Sequence, residues 1–175
     1  MIRGKILKYG DNIDTDAIFR GEHIGLNNEV LIAKHAMEGL DPDFYDKVRK
    51  GYCIIVAGVN FGCGSSREQA PLSLKLAGIK LILASSFARI FFRNSININL
   101  PVTTYEQDIN IFEDGEEIIV DLRTGQITDL TSRKVLQVQP LAEHIVSILK
   151  AGGLTNYIKA LKKNDNKKMT REHAL

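Results

Sequence analysis

Apolar and polar positions alternate along this chain in two rhythms, one of strands and one of helices. Over residues 1–8, Ile2, Ile6 and Leu7 stand among Arg3, Lys5 and Lys8, which predicts a strand ending at the turn-forming Tyr9-Gly10-Asp11-Asn12. The following stretch carries Asp11, Asp14 and Asp16 and runs through Phe19, Gly21 and Gly25 with neither period, so a functional loop is expected there. Between Asn28 and Lys50, Leu31, Ile32, Ala36 and Met37, then Phe44, Tyr45 and Val48, recur at helical spacing around Gly39 and Pro42, predicting two short helices. Tyr52 to Val59 is an apolar run rich in β-branched residues, the pattern of a central strand buried on both faces. Ser65 to Ala77 reads as a helix closing on Gly78, and Lys80 to Ala84 as a second buried strand, so together they make a βαβ unit with a parallel pair.

A further helix is expected over Phe87 to Ile98 and a strand from Leu100. The pattern then changes: Glu117 to Leu122, Gln126 to Leu130 and Lys134 to Val138 are short strands separated by turn residues, a β-meander. Pro140 opens a helix through Leu149, broken at Gly152-Gly153, with a last helix from Leu154 to Lys162. The expected class is α/β, with a central partly parallel sheet, flanking helices and the meander at the C-terminal side. Neither a repeat nor a linker divides it, so residues 1–163 are read as one domain and 164–175 as a flexible basic tail.

Composition narrows the functional classes. At 175 residues, 44% apolar and 25% charged, the chain suits one soluble domain. Its apolar runs fall short of the roughly 20 residues that cross a bilayer, and its N-terminus lacks the apolar segment of a signal peptide, so a cytoplasmic location is expected. A formal charge of +2 is too small for a nucleic-acid footprint. The two cysteines, Cys53 and Cys63, lack metal-site spacing; Cys53 is expected as a small buried hydrophobe and Cys63 as a spacer. No metal site is expected in this chain.

The segment that carries chemistry is Gly62-Cys63-Gly64-Ser65-Ser66-Arg67-Glu68, where a buried parallel strand hands over to a helix. Such junctions aim backbone N–H groups and the positive end of a helix at the space beyond the strand, and Arg67 offers a planar fork for a carboxylate or phosphate. A structural reading competes: Ser65 and Glu68 make an S-x-x-E capping box, which accounts for both as helix-start residues. That box leaves Cys63-Gly64 and a first-turn arginine unexplained, since the helix dipole disfavours cations there. The Walker, Rossmann and nucleophile-elbow patterns are all absent.

Three blocks in order, Asp14-Thr15-Asp16, Phe61-Gly62-Cys63-Gly64-Ser65-Ser66-Arg67-Glu68-Gln69-Ala70-Pro71 and Ser86-Phe87-Ala88-Arg89-Ile90-Phe91-Phe92-Arg93-Asn94, resemble the small subunits of 3-isopropylmalate dehydratases, members of the aconitase superfamily. The resemblance implies a swivelling β/β/α domain that docks on a large subunit, in a heterodimer or heterotetramer. That partner would carry a [4Fe-4S] cluster whose iron binds the substrate hydroxyl as a Lewis acid; no cofactor is expected in this chain. It implies a hydro-lyase of leucine biosynthesis acting on a small hydroxy-acid di- or tricarboxylate. Ser65 would be the catalytic base, with Arg67, Ser66, Gly64 and Asp16 binding substrate, Arg67 gripping a carboxylate and Asp16 supporting a basic neighbour. Arg89, Arg93 and Asn94 are read as structural.

Substrate choice in this family is attributed to the loop after the aspartates, where homoaconitase-like members carry a tyrosine-leucine-arginine-threonine type sequence. Here His23-Ile24-Gly25-Leu26 stands in that place, without the arginine that would meet a third carboxylate. The resemblance therefore favours isomerisation of 2-isopropylmalate and 3-isopropylmalate by dehydration and rehydration, with Arg20 able to restore a carboxylate contact if the loop folds back. Citramalate, dimethylmalate or homoaconitate, and a non-catalytic anion-binding module, are the alternatives.

Overall fold

The computed structural model describes residues 1–172, with side chains through Lys163. Its frame is a seven-stranded mixed sheet in the order β4-β3-β2-β1-β5-β6-β7. The strands are β1 (Ile2–Lys8), β2 (Tyr52–Ala57), β3 (Leu81–Ala84), β4 (Val102–Thr104), β5 (Glu117–Asp121), β6 (Gln126–Asp129) and β7 (Val135–Gln137). β1 to β4 pair in parallel, while β5 pairs antiparallel with the other edge of β1 and leads into the β6–β7 meander. The helices are α1 (Thr15–Ile18), α2 (Glu29–Lys34), α3 (Phe44–Arg49), α4 (Gln69–Ala77), α5 (Arg89–Asn97), α6 (Glu143–Lys150) and α7 (Leu154–Glu172).

Because β1, β2, β3 and β4 are laid down one place at a time in the same direction, right-handed crossovers put their connecting helices on one face. There Leu7, Ile55, Ala57, Ile82 and Ala84 pack against Ile18, Phe44, Leu74 and Phe91. The alternate residues Ile6, Ile54, Val56, Leu81 and Leu83 face the other way, and the curled meander covers them with Ile118, Val120 and Ile127. Tyr105 and Phe112 seal that second core, and the Tyr105 hydroxyl donates to the Ala57 carbonyl at 2.7 Å. The expected class, the central doubly buried strand and the C-terminal meander all hold, as the swivel-type β/β/α arrangement requires.

Several boundaries differ from expectation, each for a local reason. The helix expected from Ser65 starts at Gln69, with Glu68 at its N-cap and no side-chain cap bond. Pro71 explains this: begun at Ser66, the helix would carry proline in its second turn, where the missing N–H and the ring break it, whereas begun at Gln69 it holds Pro71 in the first turn. The Ser65–Glu68 capping box therefore does not form. The aspartate loop, expected without periodic structure, contains α1, capped by the Asp14 carboxylate on the amides of Asp16 and Ala17 at 2.9 and 2.6 Å. At the other end α7 continues past Lys162 to Glu172. The side chains of the expected basic tail, 164–175, lie outside the described residues. Among the described residues no helix is long and apolar enough to cross a membrane.

Candidate active site

Three loops leave the C-terminal ends of β1, β2 and β3 on the same rim of the sheet, the place where open α/β sheets bind ligands. Backbone bonds stitch them together: Asn12 N–H to the Val59 carbonyl at 2.8 Å, Gly62 N–H to Ile13 at 2.7 Å, Thr15 N–H to Cys63 at 2.8 Å, and Phe61 N–H to Ser86 at 3.0 Å. At Gly62 the backbone takes φ +76° and a Cβ would overlap the Phe91 ring, so a left-handed turn and close packing both require glycine. Gly64 follows at φ +90° and brings the chain against Thr15.

Thr15 organises the turn. Buried to 2% exposure, its hydroxyl accepts the Ser65 amide at 3.1 Å and lies 3.4 Å from the Ser65 hydroxyl. Either hydroxyl can donate across that 3.4 Å contact, so the Thr15 hydrogen can turn toward Ser65 Oγ. The Ser65 and Ser66 side chains are solvent-exposed, and among the described residues the backbone amides of Ser66 and Arg67 have no acceptor. Arg67 is half-buried and fixed at one corner: its Nη1 donates to Asp16 Oδ1 at 2.5 Å and to the Phe19 carbonyl at 3.2 Å. The hydrogen bond from Arg67, then that from the Gly21 amide at 3.0 Å, hold the Asp16 carboxyl below its ordinary value. The remaining guanidinium nitrogens stay available to a carboxylate ligand.

The structure thus brings Asp16, Gly64, Ser65, Ser66 and Arg67 together. Periodicity gave no notice of Thr15 as the pin between two loops; its position inside the Asp14-Thr15-Asp16 block was the one available signal. Since α4 starts beyond Arg67, the turn sits ahead of the helix rather than within its first turn.

Residues 21–26 begin with a 3-10 turn at Gly21–His23 and present exposed Ile24 and Gly25 and half-buried Leu26. Arg20 lies over Gly39, 3.5 Å from Glu22, and its charge also favours ionised Asp16. His23 is turned inward to Glu38, whose carboxylate lies 2.5 Å from His23 Nε2 and 2.6 Å from His35 Nδ1. Burial acts to raise the Glu38 carboxyl, but the hydrogen bonds from His35 and His23 outweigh it and hold it below its usual value.

Among the described residues, neither cysteine stands in a group of metal-ligating side chains. Cys53 is buried in β2 with its thiol toward the Arg3 carbonyl, and burial raises its pKa; Cys63 is half-buried in the turn, and both are free.

The Aconitase C-terminal domain model matches residues 2–107. The chain is 50% identical to the methanogen homoaconitase small subunit of Methanothermobacter thermautotrophicus, over 92% of this chain and 93% of that one. It is 46% identical to the 3-isopropylmalate dehydratase small subunit of Caldicellulosiruptor saccharolyticus, over 94% and 95%. A crystal structure of 3-isopropylmalate dehydratase from Methanocaldococcus jannaschii superposes with a TM-score of 0.87 at 41% identity, covering 95% of this chain and 98% of that one. A family match over more than half of the chain, relatives near 50% identity along almost its whole length and a closely superposing fold agree: the chain belongs to the Aconitase C-terminal domain family, among the small subunits of aconitase-type dehydratases.

Proposed function

We propose that this chain supplies the base and a carboxylate clamp to a dehydratase that interconverts 2-isopropylmalate and 3-isopropylmalate by dehydration and rehydration, with the site completed by a large subunit. The carrying observation is the turn itself: Ser65 exposed and backed by the buried Thr15 hydroxyl, with Arg67 two residues on and locked by Asp16. Ser65 Oγ takes the proton from the carbon beside the carboxylate. A hydroxyl serves as a base only where its anion is stabilised, and the Thr15 hydroxyl with the neighbouring open amides offers donors for it. Arg67 grips a substrate carboxylate, and Gly64 and Ser66 shape the turn and offer polar contacts to substrate. A [4Fe-4S] cluster, which would assist departure of the hydroxyl, belongs in this proposal to the large subunit.

Arg20, His23, Ile24, Gly25 and Leu26 form the specificity loop in this reading. His23 is drawn back to Glu38, so Ile24, Gly25 and Leu26 are left to meet the substrate's variable substituent, which suits an alkyl group. Homoaconitate is the second reading, favoured by Arg20, whose charge reaches Asp16. The test is hydration of 2-isopropylmaleate, citraconate and cis-homoaconitate by this chain with a reconstituted large subunit, comparing wild type with Ser65→Ala. Fastest turnover of 2-isopropylmaleate, lost in Ser65→Ala, is expected. Faster turnover of cis-homoaconitate transfers the assignment to the second reading, and activity surviving in Ser65→Ala removes the base assignment.

A further inference from the structure

We infer that His23, His35 and Glu38 form a binding site for a divalent transition-metal ion of the zinc, cobalt and nickel class, joining the 21–26 loop to the end of α2. Their donor atoms lie within 4.8 Å of one another, and all three side chains are half-buried. The imidazoles stack at 3.8 Å between ring centres and 20° between planes, so His23 Nε2 and His35 Nδ1 both meet the one carboxylate, on its two separate oxygens. Two imidazoles and a carboxylate are a ligand set for intermediate-softness ions; magnesium and calcium prefer all-oxygen sites.

A second observation, in the backbone, sets this cluster apart from a chance surface grouping. Met37, between His35 and Glu38, adopts φ +58°, a conformation costly for a residue with a Cβ, and is held there by a fully buried side chain and by its amide donating to the Ile18 carbonyl at 2.8 Å. That bend is what returns Glu38 toward both rings. Binding replaces the two imidazole–carboxylate hydrogen bonds, releasing the protons carried on those nitrogens. Water or Glu22, whose Oε1 is 3.7 Å from His23 Nε2, can fill the fourth position. None of the three ligands hydrogen-bonds Ser65 or Arg67, so the ion acts by fixing the loop; only its effect on substrate choice rests on the proposed function.

The test uses the full chain, with cobalt(II) followed by visible absorbance and zinc(II) by calorimetry. One saturable site per chain is expected, with d–d bands of nitrogen and oxygen ligation and no thiolate charge-transfer band. Affinity should fall at least tenfold in each of His23→Asn, His35→Asn and Glu38→Gln, checked for folding by circular dichroism, and stay unchanged in Cys63→Ser and in His144→Asn/His173→Asn. No saturable binding by wild type, a site lost in Cys63→Ser, or an affinity unmoved by the three ligand variants overturns the inference. Cobalt binding by a chain that proves inactive with its large subunit leaves this site standing while removing the dehydratase reading.

Discussion

In the proposed reaction Ser65 and Thr15 divide one task between an exposed hydroxyl and a buried one. Ser65→Ala should cut hydration by the reconstituted enzyme at least about a hundredfold, while its unfolding free energy stays within about 0.5 kcal/mol of wild type. Thr15→Val removes the hydroxyl that accepts the Ser65 amide, and is expected to cost about 1 kcal/mol of stability. Under the proposed roles its kcat should fall about tenfold with KM little changed, because the loss would fall on the base rather than on the clamp. Asp16 gives a prediction with a sign. Its folded carboxyl is held low, so the Arg67 contact is complete above the ordinary carboxylate range and is lost as pH falls through the depressed folded value. An NMR titration of the Asp16 carboxyl carbon should show that late protonation, and Arg67→Gln should move the midpoint upward. Ser65, Arg67 and Asp16 were candidates from their motifs because their side chains carry recognisable chemistry, and the fold places them at one rim across 51 positions of chain. Thr15's contact spans 50 positions and involves a buried hydroxyl, which leaves no local signature.

Strands were the easiest elements to read, since a doubly buried strand such as β2 must be apolar without interruption. The start of α4 was misplaced because S-x-x-E is a common opening pattern, while the constraint that overrode it came from Pro71. α1 was invisible because four residues cannot complete a hydrophobic period. At this scale Gly62→Ala should destabilise the chain by about 2 to 4 kcal/mol, from the positive φ and the overlap with Phe91 together, measured by urea unfolding. β1 and β2 carry a similar close approach, since a Cβ at Gly4 would overlap the Cys53 sulfur. Gly4→Ala should therefore destabilise, and Cys53→Ala introduced beside it should recover most of the loss; a double mutant no better than Gly4→Ala alone would contradict that contact.

The whole molecule separates stability from chemistry by the two faces and one rim of its sheet. The parallel half was legible from the βαβ pattern, but the antiparallel return of β5 onto β1 was not, because strand order depends on contacts between segments over 100 residues apart. Ile118→Ala, in the meander core and away from the rim, should cost about 2 to 5 kcal/mol of stability and leave activity per folded molecule unchanged. The stitched rim has a thermodynamic corollary for assembly. Its loops are already bonded to one another in this chain, so a large subunit docking there, as proposed, would meet a preorganised surface and lose little conformational entropy on association. The heat-capacity change of complex formation should then match the apolar area covered at the interface alone, with no added contribution from coupled folding.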